Sequence, residues 1–124
     1  MADHTEHLPL SPPVFHILLA LADRERHGYA IIKEIEDRTG GAVVPSTGTL
    51  YAAVKRMLRD GLVERAEGRI DPELDDARRR YYRLTPLGKQ VVRAETERLA
   101  TLVGMSREKQ LSPAFTGGRK GGGR

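Results

Sequence analysis

Residues 45–61, PSTGTLYAAVKRMLRDG, predict a turn, one capped helix and a stop at Gly61. Apolar residues at helical spacing predict its buried face, which consists of Leu50, Ala53, Val54, Met57 and Leu58. The opposite face carries small and basic residues, namely Gly48, Ala52, Lys55, Arg56 and Arg59. Such a helix fits a DNA major groove, although an ordinary basic surface helix fits this pattern equally well.

Length and charge predict one small domain with a polyanionic partner. The chain has 124 residues and a formal charge of +4, enough for a modest core. Residues 1–44 carry a net charge of −3, whereas residues 86–124 carry +5. The positive charge therefore increases from the central helix onward, which is compatible with a nucleic-acid partner.

Several classes of protein are excluded by what the sequence lacks. There is no cysteine, which removes disulfides, thiolate metal sites and a cysteine nucleophile. No Ser–His–Asp arrangement, P-loop, GxGxxG motif or set of metal ligands is present, so we expect no enzyme, no cofactor and no metal. The polar N-terminus and the short apolar run over residues 17–22 predict a cytoplasmic protein without membrane contact.

The chain before the central helix predicts two more helices. Residues 1–10 are expected to form a flexible lead, and Ser11 followed by two prolines begins a helix that is apolar almost all round. A charged connector over residues 23–26 leads to a second helix over residues 27–39. Residues 42–44, Ala-Val-Val, predict a short strand before the central helix.

After the central helix the apolar period changes. Residues 62–67 and 80–85 predict two strands of a hairpin with a long charged tip. A last helix is expected over residues 87–110, with an apolar stripe longer than one small domain covers, which predicts pairing with a second subunit. Residues 112–124 form a Gly/Arg tail that is expected to be disordered.

This order of elements predicts a mainly α protein with a small β-hairpin, an α+β fold. Residues 11–85 are expected to form a winged helix-turn-helix domain, and residues 86–111 a C-terminal dimerisation helix. The hairpin strongly favours DNA binding for the central helix. A winged helix can also be a protein–protein interaction module without specific DNA binding, and the basic recognition face argues against that alternative.

Four motifs indicate a family. They are HGY at 27–29, GTLY at 48–51, DGL at 60–62 and YYRLTPLG at 81–88. In this order and spacing the chain resembles the short subclass of PadR-like transcriptional regulators. The resemblance implies a homodimeric repressor on a pseudo-palindromic double-stranded DNA operator, and release by a small-molecule effector is common in this family. The chain has no Trp, which argues against the stacked planar ligands of multidrug-binding relatives.

Candidate DNA contacts lie in three segments. The start of the second helix supplies His27, Gly28 and Tyr29. The central helix supplies Ser46, Thr47, Gly48, Thr49, Tyr51, Lys55, Arg56 and Arg59. The end of the wing supplies Arg78, Arg79 and Arg80. These residues suit phosphates and base edges, while helix capping, tyrosine packing and solvated or compensating charge remain open as alternatives.

Candidate dimer contacts lie on the first and last helices. They are Val14, Phe15, Leu18, Val91, Val92, Leu99, Leu102 and Val103. If a small-molecule effector binds, its site is expected at the dimer interface between these two helices, near Phe15, Leu99, Leu102 and Val103. The protein is expected in the cytoplasm, and at the nucleoid when bound to DNA.

Overall fold

The computed structural model describes residues 4–70 and 80–111. Its elements in chain order are a 3-10 helix (His4–His7), α1 (Pro12–Ala20), β1 (Arg26–His27), α2 (Gly28–Arg38), α3 (Thr47–Arg59), β2 (Val63–Ile70), β3 (Arg80–Leu84) and α4 (Pro86–Glu108). The strands form one antiparallel sheet in the order β1-β3-β2. A helix-turn-helix followed by a hairpin is the winged-helix arrangement, so the predicted mainly helical fold is confirmed.

The helix boundaries follow from their capping residues. The hydroxyl of Ser46 accepts the backbone N–H of Thr49 at 3.1 Å and begins α3. The hydroxyl of Thr85 caps α4 in the same way, with a proline in the first turn. Beyond the end of α3, Gly61 has φ +77°, the left-handed conformation that glycine adopts without strain. The predicted starts of these helices are therefore confirmed.

The core lies where α1, α2, α3 and α4 meet the inner face of the sheet. Its largest buried residues include Ile17, Leu18, Ile31, Ile35, Leu50, Val54, Met57, Leu62, Tyr82, Leu84 and Val91. The buried face predicted for the central helix is thus confirmed, with Leu58 packed at its edge. The same burial holds α3 so that its other face points outward.

The short strand predicted at residues 42–44 is wrong, because that segment forms a turn and irregular backbone. The backbone N–H of Val43 donates to the Thr39 hydroxyl at 3.0 Å, a side-chain partner in place of a strand ladder. The third strand is β1, which spans the last residue of the predicted charged connector and the predicted first residue of the second helix. In it, His27 lies opposite Tyr81 of β3. A strand of two residues is too short to show an alternating pattern in the sequence. It forms because the edge of β3 is available for pairing.

The lead of the chain also differs from the sequence expectation. Residues 4–7 form a 3-10 helix that packs on α4, and Leu8 and Leu10 pack against the core. The backbone N–H of Leu10 donates to the Glu95 carboxylate at 3.2 Å. A partner 85 positions away in the chain leaves no local sequence pattern, which explains the discrepancy. The expected wing tip and Gly/Arg tail lie outside the described residues.

Candidate nucleic-acid interface

The outward face of α3 is small and basic. Because residues in an α-helix follow one another at about 100°, Gly48, Lys55 and Arg59 lie opposite the buried Leu50 and Met57. These three residues and Ala52 between them are all exposed. The two small residues allow the N-terminal part of the helix to approach a partner closely. The two cations lie further along the same face.

The N-terminal end of α3 is accessible. Residues 46–49 are all exposed. The Ser46 hydroxyl both accepts the N–H of Thr49 and donates to its Oγ1 at 3.0 Å, so the capping role of Ser46 is confirmed. A Cβ built on Gly48 would have Ser46 Oγ, at 4.0 Å, as its nearest neighbour. Packing within the described chain therefore does not require glycine at position 48, which leaves close approach of a partner as a reason for it.

The three cations of α3 differ in their surroundings. Within the described residues, Lys55 and Arg56 form no ion pair, whereas Arg59 Nε lies 3.4 Å from the neighbouring Asp60 carboxylate. That exposed pair contributes little stability. Arg56 lies at the side of α3, where it lines a cavity of about 150 Å³ with His7 and Leu10. Lys55 and Arg59 are therefore the central cations of the outward face.

The HGY and GTLY motifs meet at the contact between α2 and α3. Gly28 is buried, and a Cβ there would overlap the hydroxyl of Tyr51. The tyrosine ring thus occupies the space that the glycine leaves, and the Tyr51 Oη atom is buried. These two residues hold the helices of the helix-turn-helix together. Of the two interpretations of Tyr51, the structure favours packing on the second helix, and Gly28 has no surface to offer DNA.

His27 has a structural position as well. Its Nδ1 accepts the backbone N–H of Ala30 at 3.1 Å and so caps α2. Its ring meets that of Tyr81 edge-on, with centroids 5.2 Å apart. The next tyrosine along, Tyr29, exposes 51% of its surface. Of the three residues predicted at the start of the second helix, only Tyr29 presents a large part of its side chain outward.

The wing contributes further cations. Arg80 is exposed at the start of β3, while Arg78 and Arg79 lie outside the described residues. Arg83 donates to Glu64 at 2.8 Å and to Glu25 at 3.4 Å, which raises the pKa of its guanidinium above the ordinary value. Arg83 therefore joins the base of the wing to the segment before β1.

One exposed cation of the wing is absent from the residues predicted by sequence. Arg65 is exposed on β2, where it lies opposite Tyr82 of β3. Strand alternation places Arg65 on the same side as the buried Val63, which favours an inward position. A register irregularity follows directly after Arg65. Such local twisting of a strand is not visible in a residue pattern.

The predicted dimer residues separate into two groups. Leu18, Val91 and Val92 are buried within the chain itself, so these residues are core and the prediction for them is wrong. Val14, Phe15 and Leu99 are half-buried. Leu102 and Val103 on α4 each expose 44% of their surface, and Met105 beside them exposes 53%. The exposed apolar surface of α4 therefore begins near Leu99 and lies towards its C-terminus.

Other kinds of site were sought among the described residues. A groove of about 510 Å³ lies between α1 and α2, lined in part by His16, Leu19 and Thr39, and not between α1 and α4 where an effector was expected. Three or more potential metal ligands come together nowhere in the described segments. None of the helices in those segments has the length and apolar character needed to cross a membrane.

The fold and the basic helix define a winged-helix regulator, and comparison with known proteins identifies the family. Residues 17–94, more than half of the chain, match the PadR-like family of transcriptional regulators. The chain belongs to this family. The four sequence motifs indicate the same family, whose members are transcriptional regulators and not enzymes.

Three relatives illustrate the similarity. The transcriptional regulator Rv3488 of Mycobacterium tuberculosis is 38% identical over 87 residues, which cover 70% of this chain and 75% of that protein. An uncharacterized protein X of Lysinibacillus sphaericus is 36% identical over 73 residues, 59% of this chain and 64% of that protein. The structure of a transcriptional regulator from Clostridium thermocellum has a TM-score of 0.63 at 28% identity and covers 81% of this chain and 90% of its own. The match thus spans less than two thirds of the Lysinibacillus protein.

Proposed function

We propose that this protein is a sequence-specific DNA-binding repressor in the cytoplasm that acts as a homodimer on a pseudo-palindromic operator. The observation that carries the proposal is the orientation of α3. Its apolar face is buried, and its opposite face presents Lys55 and Arg59 beyond the small residues Gly48 and Ala52. A helix with this surface fits the major groove of B-DNA.

Each part of the surface has a defined role in the proposal. Lys55 and Arg59 reach phosphates or base edges, where one bidentate arginine–guanine contact is worth about 1–3 kcal/mol of discrimination. The N-terminal end of α3, with Thr47 and Thr49, faces a phosphate, since free N–H groups and hydroxyls attract anions there. Tyr29, Arg65 and the wing cations contact the flanking backbone.

Dimerisation is supported by the exposed apolar residues of α4. Leu102, Val103 and Met105 lie on one helix segment with Leu99 half-buried beside them, and a second copy of the chain covers them in this proposal. Two recognition helices then lie about 34 Å apart, one turn of DNA. A small-molecule effector that binds this interface would release the operator by favouring another spacing of the helices.

Fluorescence anisotropy over a salt series tests the proposal. The protein is titrated against DNA from upstream of its own gene and against scrambled DNA of the same length. Selective binding at physiological salt, with a salt slope that reflects several phosphate contacts, supports a repressor. The proposal is overturned if the protein binds both DNAs equally and weakly and does the same with duplexes selected from a random pool. That outcome favours a protein-interaction module.

A further inference from the structure

The lead of the chain, residues 4–10, packs on α4 and lines a cavity beside the recognition helix, and we call it the arm. On one side its 3-10 helix packs on α4. On the other side it encloses a cavity of about 150 Å³ with the C-terminal end of α3 and the turn that follows. The walls of this cavity include His7, Pro9 and Leu10 of the arm, and Arg56, Met57 and Asp60 of α3 and its cap. The arm therefore lies between α4 and the C-terminal end of α3.

The link to α4 depends on a buried carboxylate. Glu95 exposes only 2% of its surface. It accepts the backbone N–H of Leu10 at 3.2 Å, and it accepts Arg98 Nε at 2.6 Å and Nη2 at 2.8 Å. A well-packed apolar side chain is often at least as stable as a buried ion pair. The particular property of Glu95 is that it holds a main-chain N–H of the arm at one place on α4.

A second anchor holds α4 seven residues earlier. A Cβ on Gly88 would overlap the carbonyl oxygen of Leu62, so α4 touches the turn after α3 there. The backbone N–H of Thr85 donates to that same carbonyl oxygen at 3.1 Å. At 1.5 Å per residue, the anchors at Gly88 and Glu95 are about 10 Å apart along the helix axis. Val91 and Val92 between the two anchors pack in the core, and Glu95 is the last buried residue of the helix, so its contacts limit the tilt of the part of α4 beyond it.

We propose that Glu95 is a positioning residue for operator recognition. By holding the arm against α4, it sets the angle between α3 and α4 and hence the distance between the two recognition helices of the dimer. This inference rests on the proposed function, because the distance matters only for a dimer on a two-part operator.

The part of α4 beyond Glu95 is long enough for a small tilt of the helix to displace its end considerably. Glu95 lies 13 residues before the end of α4 at Glu108, which is about 20 Å at 1.5 Å per residue. A tilt of about 10° therefore displaces that end by roughly 3 Å, close to the rise of one base pair in a turn of about 34 Å and 10 base pairs. Loosening Glu95 is thus expected to broaden the range of half-site spacings that the dimer accepts.

The test measures spacing preference. A half-site is selected by the wild-type protein from a random-sequence pool, and duplexes carry two copies with the spacer changed by single base pairs. Wild type is expected to prefer one spacer over its neighbours by about tenfold or more, and Glu95→Ala and Leu10→Pro by less than about threefold. Both variants keep their affinity for a single half-site within about twofold. Glu95→Gln retains an oxygen for the Leu10 N–H and keeps most of the preference.

Val92→Ala is the matched control, because it removes buried apolar volume from α4 and keeps both groups of the Leu10–Glu95 hydrogen bond. It is expected to lower the melting temperature and to keep the wild-type spacing preference. If Glu95→Ala does not fold, Leu10→Pro removes the same hydrogen bond from the side of the arm, and Leu10→Ala measures the loss of the Leu10 side chain alone. A wild-type spacing profile in Glu95→Ala and Leu10→Pro overturns the positioning role alone, as does a uniform loss shared with Val92→Ala. A wild-type protein that selects no sequence overturns the proposed function itself, and this inference with it.

Discussion

Two groups of cations in this molecule differ in their partners. Arg26 is only 14% exposed; its Nε donates to the carbonyl oxygen of Ala20 at 2.7 Å, and its guanidinium lies 3.4 Å from Glu34. Arg83 bridges two carboxylates at the base of the wing. By contrast, Lys55 on α3 is exposed and pairs with no carboxylate in the described part of the chain. The first group joins elements of the fold, and the second is available to another molecule.

This difference shows why a count of basic residues does not locate a binding surface. Arg26, Arg83 and Lys55 each add one charge to the total, yet the field of the first two is largely cancelled by nearby carboxylates. An unpaired cation on a rigid helix retains its field, and it can bind an anionic partner without first breaking an ion pair. If the comparison is right, substitutions in the two groups should change different measurements.

The largest effect is expected from removing the outward cations of α3. The double variant Lys55→Ala/Arg59→Ala should weaken operator binding by about 3 kcal/mol, roughly 150-fold in Kd, because two direct contacts are lost. Its free energy of unfolding should stay within about 0.5 kcal/mol of wild type. Anisotropy and urea denaturation measure the two quantities.

Arg93→Ala is the matched control for that experiment, since Arg93 is an exposed cation on α4 away from the α3 face. It should leave operator affinity within about twofold. Wild-type affinity in the double variant would contradict the role given to α3.

The next effect is expected at Arg26. Arg26→Ala should lower the free energy of unfolding by about 2 kcal/mol, because the Glu34 carboxylate and the Ala20 carbonyl oxygen both lose a largely buried partner. Operator affinity, measured well below the melting temperature, should stay close to wild type. An affinity loss without a stability loss would place Arg26 with Lys55 in the DNA-contacting group.

A smaller effect is expected at Arg83, whose ion pairs are exposed. Arg83→Ala should lower the melting temperature by less than about 5 °C, as surface pairs contribute little. High salt should remove most of the difference between variant and wild type, because exposed pairs are screened. A larger fall that persists in high salt would show that Arg83 stabilises the wing by packing.

The smallest effect on stability is expected at Glu95, and it depends on pH. Hydrogen bonds from Arg98 lower the pKa of its carboxyl, although burial acts in the opposite direction. A lowered folded-state pKa means that its contribution to stability is complete above the ordinary glutamate pKa of about 4.3 and is lost as pH falls through the lower folded value. Thermal unfolding between pH 7 and 3 should therefore show a steeper decline for wild type than for Glu95→Gln. Parallel curves would contradict this titration.

Local patterns were sufficient for the helices and for the outward face of α3. Ser46 and Gly61 mark the boundaries of that helix by their own side-chain and backbone chemistry, and the spacing of Leu50 and Met57 shows which face is buried. The packing of Gly28 against Tyr51 could not be predicted from such patterns, because the two residues belong to different helices. A glycine or a tyrosine is compatible with several roles as long as its neighbours in the folded structure are unknown.

The class of fold, the family and the basic helix face follow from sequence, because caps, helical periodicity and contiguous motifs depend on neighbours in the chain. Tertiary structure alone decided that Val91 is core while Leu102 is exposed, since both lie on the same apolar stripe and differ only in what covers them. It also decided the two-residue strand at Arg26 and the link from Leu10 to Glu95. Those contacts join residues that are far apart in sequence, and a hydrogen bond between distant groups leaves no periodic trace in either segment.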